Sequence, residues 1–118
     1  MAAHNDLGKK GEILAKEFLL LKNYELLEEN WRFGKAEIDL IAKYNEVLIF
    51  IEVKTRSTIA FGKPEEFVSA QKQNMITSAA PRYMEKINHD WAIRFDIISV
   101  VFNKDETYSI AHIEDAFF

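Results

Sequence analysis

The sequence predicts an α/β domain in which a mixed five-stranded sheet is flanked by helices. Two segments, residues 5–22 and 64–87, repeat apolar residues at the spacing of an amphipathic helix. Five other segments are rich in β-branched and aromatic residues and are bounded by turn residues, which indicates strands. The order is helix, three strands, helix, two strands, and a chain of 118 residues is the size of one domain, residues 1–118.

The first helix is expected to begin near Asn5 or Asp6, either of which can cap it, and to run to about Lys22. Gly8 and Gly11 fall within one turn of it, where glycine is a poor helix former. They predict a close approach of the backbone to another element or to a phosphate, and we favour close packing.

The first strand is expected at residues 24–33, where imperfect alternation predicts a bulge or an edge position. Residues 36–56 then predict a β-hairpin around a short polar turn. A two-residue loop at residues 45–46 sets Asp39 directly opposite Glu52, and a loop at residues 44–45 leaves Glu52 two residues further along. Both registers place the two carboxylates on one face of the hairpin, since side chains alternate along a strand.

Asp39, Glu52 and Lys54 therefore converge at the end of a strand whose other residues are apolar. Neighbouring carboxylates that are partly buried are destabilising unless they are paired or bind a metal. Oxygen ligands from Asp39, Glu52 and the Val53 carbonyl suit Mg²⁺ or Mn²⁺. The alternative interpretation is that Glu37 pairs with Lys54 while both acids face solvent.

The second helix is expected to begin at Pro64, after a loop at residues 57–63. Its apolar stripe consists of Val68, Met75, Ile76, Ala79, Tyr83 and Ile87. Lys72 falls on this stripe, so its stem should point toward the sheet, with Gln71 beside it. Alternatively, the Lys72 stem packs at the edge of the core while its charge reaches water. Pro81 is expected to kink or split the helix.

The last two strands are expected at residues 91–102 and 107–113, the first of them covered on both faces. Arg94 and Asp96 share a face and are expected to meet partners at a helix packing edge. The chain has three histidines, His4, His89 and His112. No two of them have the spacing of metal ligands, so we interpret all three as structural or incidental.

The net charge of −4 argues against strong general affinity for nucleic acid, although a local basic face could coexist with it. Candidates for that face are Lys9, Lys10, Arg32, Lys35, Arg56, Lys63 and Arg82. The chain has no cysteine, as suits a reducing compartment. The longest apolar run, residues 47–51, is far too short for a bilayer, and no signal-peptide pattern opens the chain. We therefore expect a cytoplasmic protein without a membrane partner.

Several short motifs follow one another along the chain. They are Gly8, Gly11-Glu12, Asn30-Trp31-Arg32, residues 37–42, residues 52–56, Phe61-Gly62, Arg94-Phe95-Asp96, His112-Ile113 and Ala116-Phe117. This series resembles the YraN-like family, which is placed in the PD-(D/E)XK superfamily of restriction-endonuclease-like nucleases and is related to Holliday-junction resolvases. The chain departs from the family at Ala36, where a glycine is usual, and Pro81 is a second oddity.

The resemblance implies a restriction-endonuclease-like fold and metal-dependent hydrolysis of DNA phosphodiesters, with branched or junction DNA as a candidate substrate. Asp39 and Glu52 would hold one or two Mg²⁺ ions, and Glu12 matches an acidic residue that supports the metal site. Lys54 would orient the attacking water or stabilise the developing charge, and Lys72 matches a basic helix residue beside the metal. Gln71 is a weaker candidate for that helix position.

The alternative is a non-catalytic nucleic-acid or protein-interaction module that keeps the fold without turnover, because a fold does not fix a function. A homodimer would suit either function, since two sites related by a two-fold axis match a branched junction or both strands of a duplex.

Overall fold

The computed structural model describes residues 2–57 and 68–117. In chain order the elements are α1 (Ala2–Leu21), β1 (Glu25–Phe33), β2 (Ala36–Tyr44), β3 (Val47–Arg56), α2 (Ala70–Lys86), β4 (Ile93–Phe102) and β5 (Tyr108–Ile113). The strands form one sheet in the order β1-β2-β3-β4-β5, in which β3 and β4 are parallel and all other neighbours are antiparallel. The predicted mixed five-stranded α/β architecture is confirmed and is compatible with a restriction-endonuclease-like fold.

The two helices cover opposite faces of the sheet. Because side chains alternate along a strand, Ile51 of β3 packs in a cluster with Leu19 of α1, and Phe50 packs in a second cluster with Tyr83 of α2. The Phe50 and Tyr83 rings meet edge to face with their centroids 6.3 Å apart. The central strand β3 is thus buried on both sides, and the end of β3 lies between the two helices.

The turn between β2 and β3 fixes the register of the predicted hairpin. Tyr44 pairs with Val47 and Leu40 pairs with Ile51, so the loop consists of Asn45 and Glu46. Both loop residues have positive φ, 51° and 68°, as a type I′ turn requires. Of the two predicted registers, this is the one that sets Asp39 opposite Glu52.

Strand β1 has both of the predicted irregularities. It lies at the edge of the sheet, and its pairing with β2 shifts register between Leu26 and Glu28. Further along β1, Asn30 has a φ of 52°, a second departure from regular strand geometry.

Helix α1 begins at Ala2, earlier than predicted, and Asn23 follows its end with a φ of 68°. A Cβ atom at Gly11 would overlap Thr55 Oγ1 and would lie 3.1 Å from two Thr55 carbons, so the predicted close packing is correct at this glycine. The predicted close packing is wrong at Gly8, since a Cβ atom placed there would have no described atom of another element within 4 Å. The contact at Gly11 holds α1 against the end of β3.

Helix α2 begins at Ala70, where Ser69 Oγ accepts a hydrogen bond from the Lys72 backbone N–H at 3.1 Å. The predicted start at Pro64, the loop after Ser57, and Phe61, Gly62 and Lys63 lie outside the described residues. The helix continues through Pro81, so the predicted split is wrong. Pro81 lies on the exposed side of α2, where water can hydrogen-bond the carbonyl that a proline leaves without a donor.

In the described part of the chain, neither helix combines the length and the apolar character that crossing a membrane would require.

Candidate metal centre

The two carboxylates of the hairpin are neighbours at the point where β2 and β3 stop pairing regularly. The ladder between these strands ends at Leu40 and Ile51. Beyond it, the Val53 N–H donates a 2.9 Å hydrogen bond to Asp39 Oδ2. The Asp39 side chain thereby takes the place of a backbone carbonyl and is fixed beside Glu52.

The alternation of β2 also breaks at Asp39. Ile38 packs in the cluster under α2, whereas Leu40, two residues later, packs in the cluster under α1. A regular strand would place both on one face. The break opens the hairpin between its two acids, so groups from both helices can reach them.

Glu52 is the more deeply buried acid, with 6% of its surface exposed. Burial, the charge of Asp39 and a hydrogen bond between the two carboxyl groups raise the pKa of Glu52 to about 8, although Lys72 and Lys54 oppose this shift. Burial also raises the pKa of Asp39, against the Val53 N–H and the charge of Lys72. In the metal-free protein at neutral pH, the pair therefore holds a proton, because two adjacent buried carboxylates resist joint ionisation.

The residues present fit a hard divalent cation. When both acids are ionised, Glu52 Oε1 is buried and accepts no hydrogen bond from any described residue. A buried carboxylate oxygen without a partner is costly, and a cation would satisfy it as the shared proton does. The described residues contain no group of three or more His, Cys, Asp or Glu side chains suited to one metal, so water would complete the coordination, as Mg²⁺ commonly allows.

Two lysines extend the site. Lys72 Nζ lies 3.6 Å from Glu52 Oε2, with 34% of the Lys72 side chain exposed, so its stem does point from α2 toward the sheet. Lys54 is half-buried, and its charge acts on Glu52 without forming an ion pair inside the described ranges. The alternative in which Glu37 pairs with Lys54 is wrong, since Glu37 pairs with Arg32 at 3.5 Å.

Glu12 approaches from α1. Burial and then the charge of Asp39 raise the pKa of Glu12, while a hydrogen bond with Asn30 lowers it. Glu12 is thus near enough to Asp39 to interact with it electrostatically, although the two do not belong to a three-ligand cluster within the described residues. The Gln71 side chain is exposed and makes no hydrogen bond within residues 2–57 and 68–117, so the structure does not bring it into the site.

A second polar cluster, on the α1 face of the sheet, was only partly foreseen. Asp96 is fully buried and accepts two 2.9 Å hydrogen bonds from Arg94, one at 2.7 Å from His112 Nε2 and one at 3.0 Å from the Asp115 N–H. Burial raises the pKa of Asp96, but His112 and Arg94 outweigh it and leave that pKa below its usual value. Arg94 also donates to the Tyr24 hydroxyl at 2.8 Å.

This cluster corrects one interpretation and confirms another. Arg94 and Asp96 bind each other and the neighbouring strand rather than a helix edge, and His112 is structural, one of the two roles expected for it. Strand pairing brings His112 next to Ile98, within reach of Asp96. The sequence signal was the pair Arg94 and Asp96 at a spacing of two residues, which share a face.

Comparison with known proteins gives a match over most of the chain. A model of the uncharacterised protein family UPF0102 matches residues 11–100, a span that includes both carboxylates and both lysines of the site. A protein from Christiangramia forsetii is 52% identical over 118 residues, covering 100% of this chain and 98% of its own. A protein from Flavobacterium psychrophilum is 50% identical over the same coverage. One from Natranaerobius thermophilus is 39% identical over 93% of this chain and 95% of its own. All three carry only the UPF0102 name, without an activity.

Proposed function

Because the chain belongs to the uncharacterised protein family UPF0102, the YraN-like family that its motifs resemble, we propose that it is a Mg²⁺- or Mn²⁺-dependent deoxyribonuclease that hydrolyses phosphodiester bonds. The observation that carries this proposal is Glu52. Its carboxyl group is buried beside Asp39, and one of its oxygens has no hydrogen-bond partner among the described residues once it is ionised. A hydrophobic core selected only for stability would have an apolar side chain at this position, whereas a metal centre requires a buried carboxylate.

The side chains of the site would have different roles in hydrolysis. The cation, when bound to Asp39, Glu52 and the Val53 carbonyl, would polarise the phosphate and lower the pKa of a bound water. Asp39 is already oriented by the Val53 N–H. Lys54 lies two residues beyond Glu52 on the same face, where its ammonium would orient the attacking water or stabilise negative charge on the phosphate.

Lys72 and Glu12 would play supporting parts. Lys72 Nζ lies 3.6 Å from Glu52 Oε2, and it would be free to contact a phosphate once that carboxylate binds the cation. Glu12 would accept a hydrogen bond from a metal-bound water, because it lies near Asp39 without sharing its position. A homodimer would present two such sites to the strands of a branched DNA.

A cleavage assay tests the proposal. Linear, flapped and four-way DNA would be incubated with the protein in Mg²⁺, Mn²⁺ or Ca²⁺. We expect cleavage of at least one form with Mg²⁺ or Mn²⁺, and none with Ca²⁺, which would still support DNA binding that weakens as salt is added. Asp39→Asn should cleave none of them. If the wild type neither binds nor cuts any DNA form at low salt with metal, the chain is instead a protein-interaction module.

A further inference from the structure

A pocket of about 340 Å³ opens between the β1–β2 turn and α2. Phe33, Ala36, Met75 and Ala79 give it an apolar lining, and Lys35 and Asn74 add polar groups. Pockets of this size that combine an apolar lining with a few polar groups commonly bind small molecules.

Phe33 is exposed but held in place. Its side chain is 48% exposed, and its ring lies nearly parallel to that of Trp31, at 12° with centroids 6.2 Å apart. Trp31 in turn meets Tyr83 edge to face at 5.2 Å. The Arg82 guanidinium lies 5.5 Å from the Phe33 ring centroid. These contacts orient the exposed ring in advance, which lowers the entropy lost when a second ring stacks on it.

The surroundings of Phe33 are cationic although the chain carries a net charge of −4. Lys35 is exposed and has no ion pair with a described residue. Arg82 pairs only with Glu85, an exposed acid, on the described surface, at 3.8 Å, and such a pair is weak. Lys35 lines the pocket and Arg82 lies against the Phe33 ring, and these two positive side chains complement a nucleotide, which joins a planar base to a phosphate.

The pocket is also close to the candidate metal centre. Asn74 follows Lys72 by two residues on α2, a rise of about 3 Å along the helix axis. Ala36 precedes Asp39 by three residues on β2, roughly 10 Å along the strand. Successive phosphates of one DNA strand are about 3.4 Å apart along the axis, so a strand could occupy both places within a few nucleotides.

We propose that this pocket takes an unpaired nucleobase of the DNA strand whose phosphate lies at the metal centre. The base would stack on Phe33, and Lys35 and Arg82 would contact the flanking phosphates. In an intact duplex the base is held in the helical stack, so the pocket favours DNA with a single-stranded segment at the cleavage point. This inference rests on the proposed nuclease function and adds the class of substrate.

The test compares DNA affinity in Ca²⁺, by fluorescence anisotropy, for a blunt duplex and for the same duplex with 5′ or 3′ single-stranded overhangs. We expect the wild type to bind at least one overhang more tightly than the blunt duplex. Phe33→Ala should weaken overhang binding by about fivefold or more and change blunt-duplex binding by less than about twofold. Phe33→Trp should retain the preference, since it keeps a ring. Tyr108→Ala is the matched control, because Tyr108 is 49% exposed on the opposite edge of the sheet.

Phe33→Leu separates a loss of stacking from a loss of folding, since leucine keeps apolar contact with Trp31 but has no ring. Circular dichroism would check that Phe33→Ala and Phe33→Leu both fold. The proposal is overturned if Phe33→Leu keeps the overhang preference, if it weakens both DNAs equally, or if the wild type shows no preference. Titration of Mn²⁺ without DNA distinguishes this proposal from the one on which it rests. If the protein binds Mn²⁺ but its preference for overhangs does not depend on Phe33, this inference alone is removed. If the protein does not bind Mn²⁺, the nuclease proposal is removed as well.

Discussion

We expect Lys54→Met to lower the single-turnover rate of DNA cleavage by about 100- to 1000-fold while DNA affinity changes by less than about threefold. Lys54 lies about 7 Å beyond Glu52 along β3, on the same face. It is half-buried and has no ion pair with a described residue, so its charge remains available for a reacting phosphate or water. A group that acts mainly in the transition state changes the rate far more than the affinity.

Lys72→Met is the matched comparison, since it removes the same charge at the same site from a different element. Lys72 already lies 3.6 Å from Glu52, so part of its charge acts on a protein side chain rather than on the DNA. We expect a rate reduction of about tenfold or less and little loss of stability. Melting curves by circular dichroism would show that both variants fold. Cleavage by Lys54→Met at the wild-type rate would remove Glu52-Val53-Lys54 as a catalytic motif, and the nuclease assignment with it.

A second large effect is expected on stability: Glu52→Gln should stabilise the metal-free protein at and above pH 8, by an amount on the order of a few kcal/mol. The folded pKa of Glu52 is about 8, above its ordinary value of 4.5. Between these two values the folded state keeps a proton that the unfolded chain has released, so wild-type stability falls as pH rises through this window. Glutamine is neutral at every pH and removes the dependence. Below pH 4.5 Glu52 is protonated in both the folded and the unfolded state, so the advantage disappears there.

Urea denaturation from about pH 4.5 to about pH 9 measures the difference in the free energy of unfolding between wild type and Glu52→Gln. Glu25→Gln is a suitable control, because Glu25 is exposed on β1 and a surface substitution of this kind should change the free energy of unfolding by about 0.5 kcal/mol or less at any pH. Asp39→Asn should show the same trend as Glu52→Gln, since the charge of Asp39 helps to raise the pKa of Glu52. If the free energies of unfolding of wild type and Glu52→Gln differ by a constant amount over the whole pH range, the burial of this carboxyl group is contradicted.

The sequence was sufficient to predict that Asp39 and Glu52 are neighbours, since both hairpin registers bring their positions together. It did not predict that the alternation of β2 breaks at Asp39, where Ile38 and Leu40 pack on opposite faces of the sheet. The choice between the registers depended on Glu46, which adopts a positive φ although it is neither glycine nor asparagine. The positive φ of Glu46 is set by the pairing of the two strands rather than by the loop residues alone, so the sequence left the register open.

Features that depend on distant parts of the chain were harder to predict. Asp96 meets His112 only because β5 pairs with β4, so their separation of 16 residues gave no signal. The pocket at Phe33 likewise needs the β1–β2 turn and α2 to be adjacent. The effect of Pro81 was overestimated because its exposure depends on which side of α2 packs on the sheet.

Both proposals depend on a metal site formed by Asp39 and Glu52, and calorimetric titration of Mn²⁺ at neutral pH is the sharpest test of that site. Two buffers with different ionisation enthalpies would show whether protons are released. We predict saturable binding to the wild type with release of a proton, because Glu52 must lose the proton that its raised pKa retains. The double variant Asp39→Asn/Glu52→Gln should show no saturable binding, although it folds. Equal Mn²⁺ affinity in both proteins, or no binding to the wild type, would contradict the metal site.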